Sequence, residues 1–225
     1  MISFDHVSKT FALGNTALRD TSFVIDDNQF VFLVGPSGAG KTTILKMITR
    51  EYIPTEGKII VNDQEISNKH FHKVERLRRN IGIVFQDFKI LPDKSVFENI
   101  ALSLKITHAS SANIKSQVQE ALNLVNLSEK LHVFPAQLSA GEMQRVAIAR
   151  AIIGERDIIL ADEPTGNLDP KTAWDIMKIF KKLEGKKTMI IATHNIDIVN
   201  SMRKRVIAMR GGTIEKDIKK GGYDL

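Results

Sequence analysis

A glycine-rich turn between an apolar run and a helical pattern constrains this chain more than any other feature. Residues 31–34 are apolar, the turn reads Gly-Pro-Ser-Gly-Ala-Gly-Lys from Gly35 to Lys41, and Thr42 and Thr43 lead into the next apolar pattern. The spacing G-x-x-x-x-G-K-[ST] in a strand–loop–helix setting is typical of phosphate-binding loops. An ordinary glycine turn before a surface lysine is the alternative, and it is disfavoured because every fixed position of the motif is filled.

The residue types of this turn suit an anion. Glycines let backbone N–H groups turn towards phosphate oxygens, and the start of the helix adds its positive dipole end. Lys41 would reach the β- and γ-phosphates of a nucleotide, and the Thr42 hydroxyl would bind Mg²⁺. The predicted nucleotide-binding residues of this phosphate loop are Gly35, Pro36, Ser37, Gly38, Ala39, Gly40, Lys41, Thr42 and Thr43.

Composition limits the function classes. The chain has 225 residues, of which 43% are hydrophobic and 26% charged, so it can form one sizeable core or a core with a subdomain. It contains no cysteine, which excludes disulfides, thiolate metal sites and cysteine nucleophiles. No secretory signal or membrane-spanning run is visible, and we expect a cytoplasmic location. The net charge of +6 permits contact with nucleic acid or an anionic membrane without establishing either.

Strand patterns alternate with helical patterns along the chain. This alternation predicts a mostly parallel α/β sheet. Helical periodicity dominates residues 87–153, which we interpret as a helical subdomain inserted into a core formed by residues 1–86 and 154–225 of a single domain. The residues from Lys216 onwards are polar and predict no ordered element. Strands are predicted at 2–7 (as an edge strand), 17–25, 30–34, 57–62, 81–85, 158–161, 188–193 and 206–209, and helices at 41–50, after Ser95, after Ser110 or Ser111, and at 171–183.

Two carboxylates follow a buried strand. The apolar run 158–161 ends in Asp162 and Glu163, and the carboxyl end of a strand in such a fold borders the nucleotide crevice. Asp162 is then expected to bind Mg²⁺, directly or through water. Glu163 can orient a water for attack on the γ-phosphorus and accept its proton. Without the phosphate loop, two solvated acids at a strand end would be the better interpretation.

Four further residues have side chains suited to the same reaction. Gln86 follows a strand and could reach the metal or the attacking water, His194 ends a strand and could donate to the γ-phosphate, and Phe11 could stack on a base. Each of these residue types is more often structural when it stands alone. Ser139, with Glu142 three residues on, forms a capping-box pattern, so a second helix start could bind an anion.

Together these motifs resemble the ATP-binding cassette (ABC) family over almost the whole chain. The resemblance implies an α/β P-loop NTPase fold with a RecA-like core, an N-terminal antiparallel β subdomain and an inserted helical subdomain. The matching segments, in chain order, are Phe11 (the adenine-stacking aromatic), 35–42 (the phosphate loop), Gln86 (the Q-loop), 138–142 (the signature motif), 158–163 (Walker B), 167–169 (the D-loop) and His194 (the switch histidine).

The resemblance also implies a mechanism. Two cassettes would face each other head to tail and sandwich two ATP molecules, with Thr42, Gln86 and Asp162 around Mg²⁺. Hydrolysis would use Glu163 as the base, with His194 and Gln86 assisting. The second copy would contribute its residues Ser139, Gly141, Glu142 and Asp169 to the ATP held by the first.

The signature motif departs from the usual family pattern at two positions. The family commonly has glycine after the serine and often glutamine at the end, where this chain has Ala140 and Glu142. A methyl group at position 140 narrows the approach to phosphate, and a carboxylate at 142 repels it unless the side chain folds back as a capping partner. We therefore expect slow basal turnover.

Within the family the chain resembles the cell-division branch in its Gram-positive form. The segments that carry this resemblance are 32–40, 77–82, 84–88, 161–169, 192–195 and 202–208. The resemblance implies an FtsX-like integral membrane protein as partner, a peripheral location on the cytoplasmic face of the membrane, and indirect control of a peptidoglycan hydrolase. Lipoprotein-releasing and solute or macrolide exporters share the segment 164–169 and remain an alternative. A nucleic-acid-linked ATPase is a further alternative, but such proteins usually carry a long coiled coil or tandem cassettes, so no direct nucleic-acid partner is expected.

Overall fold

The computed structural model describes residues 1–106 and 110–219. Its described strands are β1 (Ile2–Thr10), β2 (Thr16–Ile25), β3 (Phe30–Val34), β4 (Glu56–Val61), β5 (Gln64–Glu65), β6 (Ile81–Val84), β7 (Ile158–Asp162), β8 (Thr188–Thr193), β9 (Arg205–Arg210) and β10 (Thr213–Ile218). Its described α-helices are α1 (Lys41–Ile48), α2 (Val74–Arg79), α3 (Val96–Lys105), α4 (Ser111–Leu124), α5 (Ala140–Ile152), α6 (Pro170–Lys182) and α7 (Ile196–Met202).

A six-stranded sheet with the order β10-β9-β3-β8-β7-β6 forms the centre of the fold. The pairs from β9 to β6 are parallel and β10 is antiparallel to β9, so the prediction of a mostly parallel sheet is confirmed. The strands β3, β7 and β8 are buried along nearly their whole length and are mostly apolar, as expected when both faces of a sheet are covered. In β3, Phe30, Phe32 and Val34 pack into a core shared with α3–α6, whereas Val31 and Leu33 pack into a core shared with α1 and the second sheet.

The second sheet has four antiparallel strands in the order β2-β1-β4-β5. It corresponds to the antiparallel β subdomain that the family resemblance implies. The prediction that the first strand lies at an edge is wrong, because β1 pairs with β2 on one side and β4 on the other. Its alternating pattern reflects one buried and one solvated face, which an inner antiparallel strand shares with an edge strand.

The parallel strands bring their carboxyl ends to one edge of the central sheet. Val34 pairs with Thr193, and Asp162 pairs with Ala192. The loops that leave this edge therefore start close together, as expected for a crevice at the ends of parallel strands. Those loops contain the phosphate loop and the residues after β6, β7 and β8.

The helices α3, α4 and α5 all lie between β6 and β7 in the chain, where the sequence predicts a helical block. Ser95 caps α3 in a capping box with Glu98, and Ser110 caps α4. Ile114, Val118 and Leu122 lie on the buried face of α4, four residues apart as one face of a helix requires. The division into 1–86, 87–153 and 154–225 stays a prediction.

The elements that were not predicted include β10 and α2. The strand β10 follows the Gly211-Gly212 turn, in which both glycines have positive φ, and it includes Lys216, so the expectation of no order from that residue onwards is wrong. Pairing with β9 and an ion pair of 2.7 Å between Arg205 and Asp217 hold this polar strand. The short helix α2 lies in a stretch for which the sequence predicted no element. Residues 220–225 lie outside the described part of the chain.

Gly82 provides a test of the packing between β6 and α5. A Cβ at this position would lie 1.9 Å from the carbonyl oxygen of Ala151 and 2.8 Å from Ile159 Cδ1. We expect Gly82→Ala to lower the free energy of unfolding by about 3 kcal/mol, because backbone has to move. Gly185→Ala is the matched control, since its Cβ would meet open space at a φ of +74°, and should cost only about 1 kcal/mol. Equal losses in urea unfolding would contradict the packing argument.

Candidate functional site

A cavity of about 690 Å³ opens at the carboxyl edge of the central sheet. The structure brings together here most of the residues that the sequence predicts for ATP and its reaction. Gly35 lies beside this cavity and lines a smaller one of about 200 Å³, which it shares with His194. The predicted residues that line the larger cavity are Phe11, Pro36, Ser37, Gly38, Ala39, Gly40, Lys41, Thr42, Thr43, Gln86, Asp162, Glu163 and His194.

The phosphate loop curves around the ammonium group of Lys41. Lys41 Nζ donates to the carbonyl oxygen of Gly35 at 2.7 Å and to that of Pro36 at 3.1 Å, and the side chain is buried. Gly40 is the N-cap of α1 with φ +105°, and a Cβ there would lie 2.8 Å from the carbonyl oxygen of Ala17. Only glycine meets both demands, so the loop can bring the helix start and the ammonium to the same place.

Thr42 and Asp162 form a pair of oxygen ligands. Thr42 Oγ1 donates to Asp162 Oδ2 at 2.8 Å. Burial raises the pKa of the Asp162 carboxyl above its ordinary value, and the hydrogen bond from Thr42 opposes this. In the described part of the chain, His, Cys, Asp and Glu form no cluster of three or more that could hold a metal. The two oxygens, with Gln86 on the same cavity wall, fit Mg²⁺, which binds few protein groups and keeps water and phosphate ligands.

Glu163 is held in a strained and well-fixed position. Its φ is +47°, a left-handed conformation that is costly for a residue with a side chain, and its N–H donates to the carbonyl oxygen of Ala192 at 2.9 Å. His194 lies 2.9 Å from Glu163 Oε1 through Nδ1 and donates its backbone N–H to Oε2 at 3.3 Å. Lys41 Nζ lies 3.8 Å from the same carboxylate. The carboxylate therefore faces the cavity between an imidazole and an ammonium.

Gln86 is exposed at the cavity wall. Asn167 Nδ2 donates to the backbone carbonyl oxygen of Gln86 at 3.5 Å, and Gly166 lies against the side-chain amide of Gln86. The segment after β7 thus contacts the segment after β6. This contact brings the predicted D-loop region next to the predicted Q-loop.

Phe11 lies at the outer rim of the cavity. Its ring meets the edge of Tyr52 with centroids 5.2 Å apart, so a neighbouring aromatic residue fixes its orientation. Sequence reasoning missed Tyr52, which orients the Phe11 ring, and three residues that line the cavity, Asn15, Thr16 and Ala17. These three residues lie at or just before the start of β2 and belong to no recognisable motif, so no pattern pointed to them.

The signature residues form a helix start away from this cavity. Ser139 Oγ accepts from the Glu142 N–H at 3.3 Å, and Glu142 Oε2 accepts from the Ser139 N–H at 2.8 Å. These hydrogen bonds lower the pKa of Glu142, and Lys130 lies 3.5 Å from its carboxylate. The Glu142 side chain therefore folds back onto its own helix.

Gly141 and Asp169 lie where α5 meets α6. A Cβ on Gly141 would lie 2.5 Å from Thr172 Cγ2, so glycine permits the close approach of the two helices. Asp169 caps α6 by accepting from the Thr172 N–H at 3.0 Å, and hydrogen bonds from the side chain and the backbone of Thr172 lower its pKa. Ser139, Gly141, Glu142 and Asp169 do not appear among the described residues that line the nucleotide cavity, so one copy of the chain does not unite the two sets.

Comparison with known proteins agrees with this geometry. The family model described as ABC transporter matches residues 18–166. The chain is 47% identical to the cell division ATP-binding protein FtsE of Bacillus subtilis over 99% of this chain and 98% of that protein. The protein of the same name from Streptococcus pneumoniae is 44% identical over 100% and 99%. The one from Escherichia coli is 40% identical over 94% and 96%.

Two solved structures extend the comparison to three dimensions. One is described as the dimeric structure of a bacterial ABC transporter cassette; it is 35% identical, with a TM-score of 0.88 over 99% of this chain and 100% of that chain. The other is described as the dimeric post-hydrolysis state of the same cassette bound to ADP and phosphate; it is 34% identical, with the same TM-score and coverage.

The chain therefore belongs to the ABC transporter family, as an ATP-binding and ATP-hydrolysing cassette. Within this family it is of the FtsE type, the cell-division ATP-binding proteins, with which it aligns over nearly its full length. The predictions of fold class, family and ATPase activity from sequence are confirmed. The individual roles assigned to the site residues stay predictions.

A substitution at Asp162 tests whether its buried carboxylate lowers the stability of the folded chain. Because the pKa of Asp162 is raised in the folded state, its ionisation opposes folding, and this loss of stability grows as the pH rises through the folded-state pKa. We expect Asp162→Asn to raise the unfolding temperature of the nucleotide-free protein at pH 7.5 but not at pH 4. With Mg²⁺ and ATP at about 100 times the dissociation constant, the native chain should gain about 2.7 kcal/mol and the variant much less. A lower unfolding temperature for the nucleotide-free variant at pH 7.5 would contradict the assignment.

Proposed function

We propose that this chain is the motor of a membrane complex for cell division, in which two copies hydrolyse Mg²⁺-bound ATP and act on an FtsX-like membrane protein. The observation that carries the ATPase mechanism is the Glu163–His194 pair at 2.9 Å, which borders the cavity that the phosphate loop lines and has Lys41 Nζ 3.8 Å from its carboxylate. The nucleotide, the base and the metal ligands then occupy one edge of one sheet.

Binding uses groups that are already oriented. The backbone N–H groups of the phosphate loop and the start of α1 attract the phosphates, and Lys41 exchanges its loop carbonyl partners for phosphate oxygens. Phe11 at the rim offers its ring to the base. Because Lys41 is already fixed by Gly35 and Pro36, little side-chain entropy is lost when the anion binds.

Hydrolysis needs an oriented water and a place for its proton. Glu163 accepts that proton, and its carboxylate is held at both oxygens by His194. Gln86 on the cavity wall orients the water, while Lys41 stabilises negative charge on the phosphates. Thr42 and Asp162 would hold Mg²⁺, which supplies neutralisation of the charge that develops on the phosphate oxygens.

A second copy of the chain would complete the site. Ser139 and Ala140 are exposed at the start of α5, and Asp169 is exposed at the start of α6, so a neighbouring copy can reach them. The dimeric cassette structures that resemble this chain support such a pairing. Since Glu142 folds back onto Ser139 and Lys130, it adds less repulsion towards a partner's ATP than an extended carboxylate would. Ala140 is then the main departure expected to slow turnover.

In this proposal the membrane partner contains the membrane-spanning segments. Among the described residues, no helix is both long and apolar enough to cross a bilayer. We assign docking of the partner's cytoplasmic segment to a polar cleft of about 400 Å³ between the start of β6 and the helices α3 and α4. Docked there, the chain would lie on the cytoplasmic face of the membrane and would control a peptidoglycan hydrolase indirectly. The residues that define this docking cleft include Arg79, Asn80, Ser103, Asn113, Gln117 and Arg156.

Glu163→Gln tests the proposed function directly. The change keeps the shape and hydrogen-bonding oxygen of the side chain but removes the base, so turnover should fall about 100-fold or more while ATP binding persists. Trapped with ATP, the variant should be recovered from membranes as a dimer with a small FtsX-like membrane protein. Turnover at the native rate would refute Glu163 as the base.

The identity of the captured protein separates the division motor from the exporter reading. Recovery of a larger permease instead would support a lipoprotein or solute exporter. Recovery of neither protein, with nucleic-acid binding that weakens steeply as salt increases, would support a nucleic-acid-linked ATPase. The native chain captured without ATP is the control for nonspecific membrane association.

The docking cleft can be tested separately. Arg79 lines it, whereas Arg76 lies exposed on the same helix outside it. Arg79→Glu should reduce recovery of the membrane partner at least fivefold, which corresponds to about 1 kcal/mol, because a carboxylate reverses the charge that this residue presents to the cleft. Arg76→Glu makes the same change in net charge and should leave recovery within twofold. Equal losses in both variants would exclude the cleft as the specific contact.

A further inference from the structure

The segment that follows β6, here called the Gln86 loop (residues 86–95), has an unusual backbone. Phe88 and Lys89 are consecutive non-glycine residues with φ of +59° and +49°. Residues with a Cβ rarely occupy this left-handed region, and two in succession persist only where surrounding contacts hold them. The hydrogen bond from the Lys89 N–H to the carbonyl oxygen of Asp87, at 2.6 Å, tightens the turn but is local to it.

The contact that holds this turn comes from the signature helix. Arg150, in the last turn of α5, donates from Nη1 to the carbonyl oxygen of Lys89 at 2.6 Å and from Nη2 to that of Phe88 at 2.8 Å. The two terminal nitrogens of one planar guanidinium thus bind two successive carbonyl groups. Burial lowers the pKa of Arg150, but an arginine stays charged at any physiological pH, so both hydrogen bonds are charge-assisted.

The rest of the loop is also attached to the helical block. Asn99 of α3 is fully buried; its amide donates to the carbonyl oxygens of Leu91 at 3.1 Å and Lys94 at 3.0 Å, and accepts from the Leu91 N–H at 2.8 Å. On the core side, Asn167 reaches the Gln86 carbonyl at the longer distance of 3.5 Å. The Gln86 loop is therefore held more firmly by the helices than by the core.

Arg150 and Ser139 belong to the same helix. Ser139 caps the start of α5, and Arg150 lies eleven residues further on, about 16 Å along the axis. An α-helix of this length moves as a rigid body, and its buried residues pack it against α3, α4 and β6. A displacement of the helix start is therefore transmitted to the carbonyl groups that Arg150 holds.

We propose that Arg150 is a positioning residue that couples the Gln86 side chain to the signature helix. The inference rests on the proposed function, because it assigns Gln86 to the hydrolytic step and Ser139 to a second copy's ATP. When α5 settles against a second copy, Arg150 carries the Gln86 loop with it and brings the amide to the position from which it orients water. Arg150 itself does not touch the nucleotide.

A double-mutant cycle on turnover tests this coupling. Arg150→Met keeps the aliphatic length of the side chain and removes both donors. It should lower kcat about tenfold with KM for ATP within about twofold, because Lys41 and the phosphate loop are untouched. Gln86→Ala should lower kcat by a similar factor. If Arg150 acts through Gln86, the double variant is no slower than Gln86→Ala alone.

Arg78 provides the matched control. It donates from Nε to the carbonyl oxygen of Thr49 at 3.0 Å and from Nη2 to that of Arg50 at 3.3 Å, the same kind of contact made elsewhere in the fold. Arg78→Met should leave kcat within twofold of the native value. If a general loss of stability explained the effect of Arg150, both methionine variants would slow turnover in proportion to their fall in unfolding temperature.

The conservative variant Arg150→Lys provides a second test in case Arg150→Met does not fold. Arg150→Lys keeps the charge but offers one ammonium to two carbonyl groups, so we expect its kcat to lie between those of the native chain and Arg150→Met. When it is combined with Gln86→Ala, the losses of kcat should again be non-additive in free energy. Multiplicative losses of kcat in either cycle overturn the proposal. If Glu163→Gln abolishes turnover while the cycle is multiplicative, only the role of Arg150 fails. If Glu163→Gln leaves turnover intact, the proposed function fails.

Discussion

Parallel pairing of β3, β8, β7 and β6 is the constraint on which the rest of this structure depends. It sends the chain out of the sheet at one edge, so residues far apart in sequence (Gly35, Gln86, Glu163 and His194) start within a few strand spacings of one another. The sheet can hold this arrangement because both faces are covered by apolar cores. Each fully buried aliphatic or aromatic side chain contributes about 1.5–3 kcal/mol, which offsets the cost of burying Lys41 and Asp162 at the edge.

The site contains locally unfavourable conformations that the surrounding fold stabilises. Glu163 has a left-handed backbone, Asp162 carries a carboxylate whose pKa is raised by burial, and the Gln86 loop has two further left-handed residues. Left-handed residues also occur in turns far from the cavity, but Glu163 and Asp162 both line the cavity. At these two positions the unfavourable conformation or burial accompanies a carboxylate placed for chemistry.

Sequence patterns predicted the parts of the structure that local chemistry determines. The phosphate loop needs glycines at fixed positions, β7 needs a continuous apolar run, and Ser139 with Glu142 forms a capping box through contacts three residues apart. The inner position of β1 and the pairing of β10 depend on distant strands, so the pattern of each segment could not reveal them. The contribution of Ala17 to the cavity and the hold of Arg150 on the Gln86 loop are likewise long-range contacts without a motif.

The separation of Ser139 from the cavity that holds Lys41 has a kinetic consequence. If ATP is hydrolysed only between two copies, the rate at low occupancy rises with the square of the number of chains per unit of membrane area. A tenfold rise in local density would then raise ATP consumption about a hundredfold. Under that condition the chain would consume little ATP while dispersed and most of it where copies are brought together, so the position of a single helix start would decide where in the cell ATP is used.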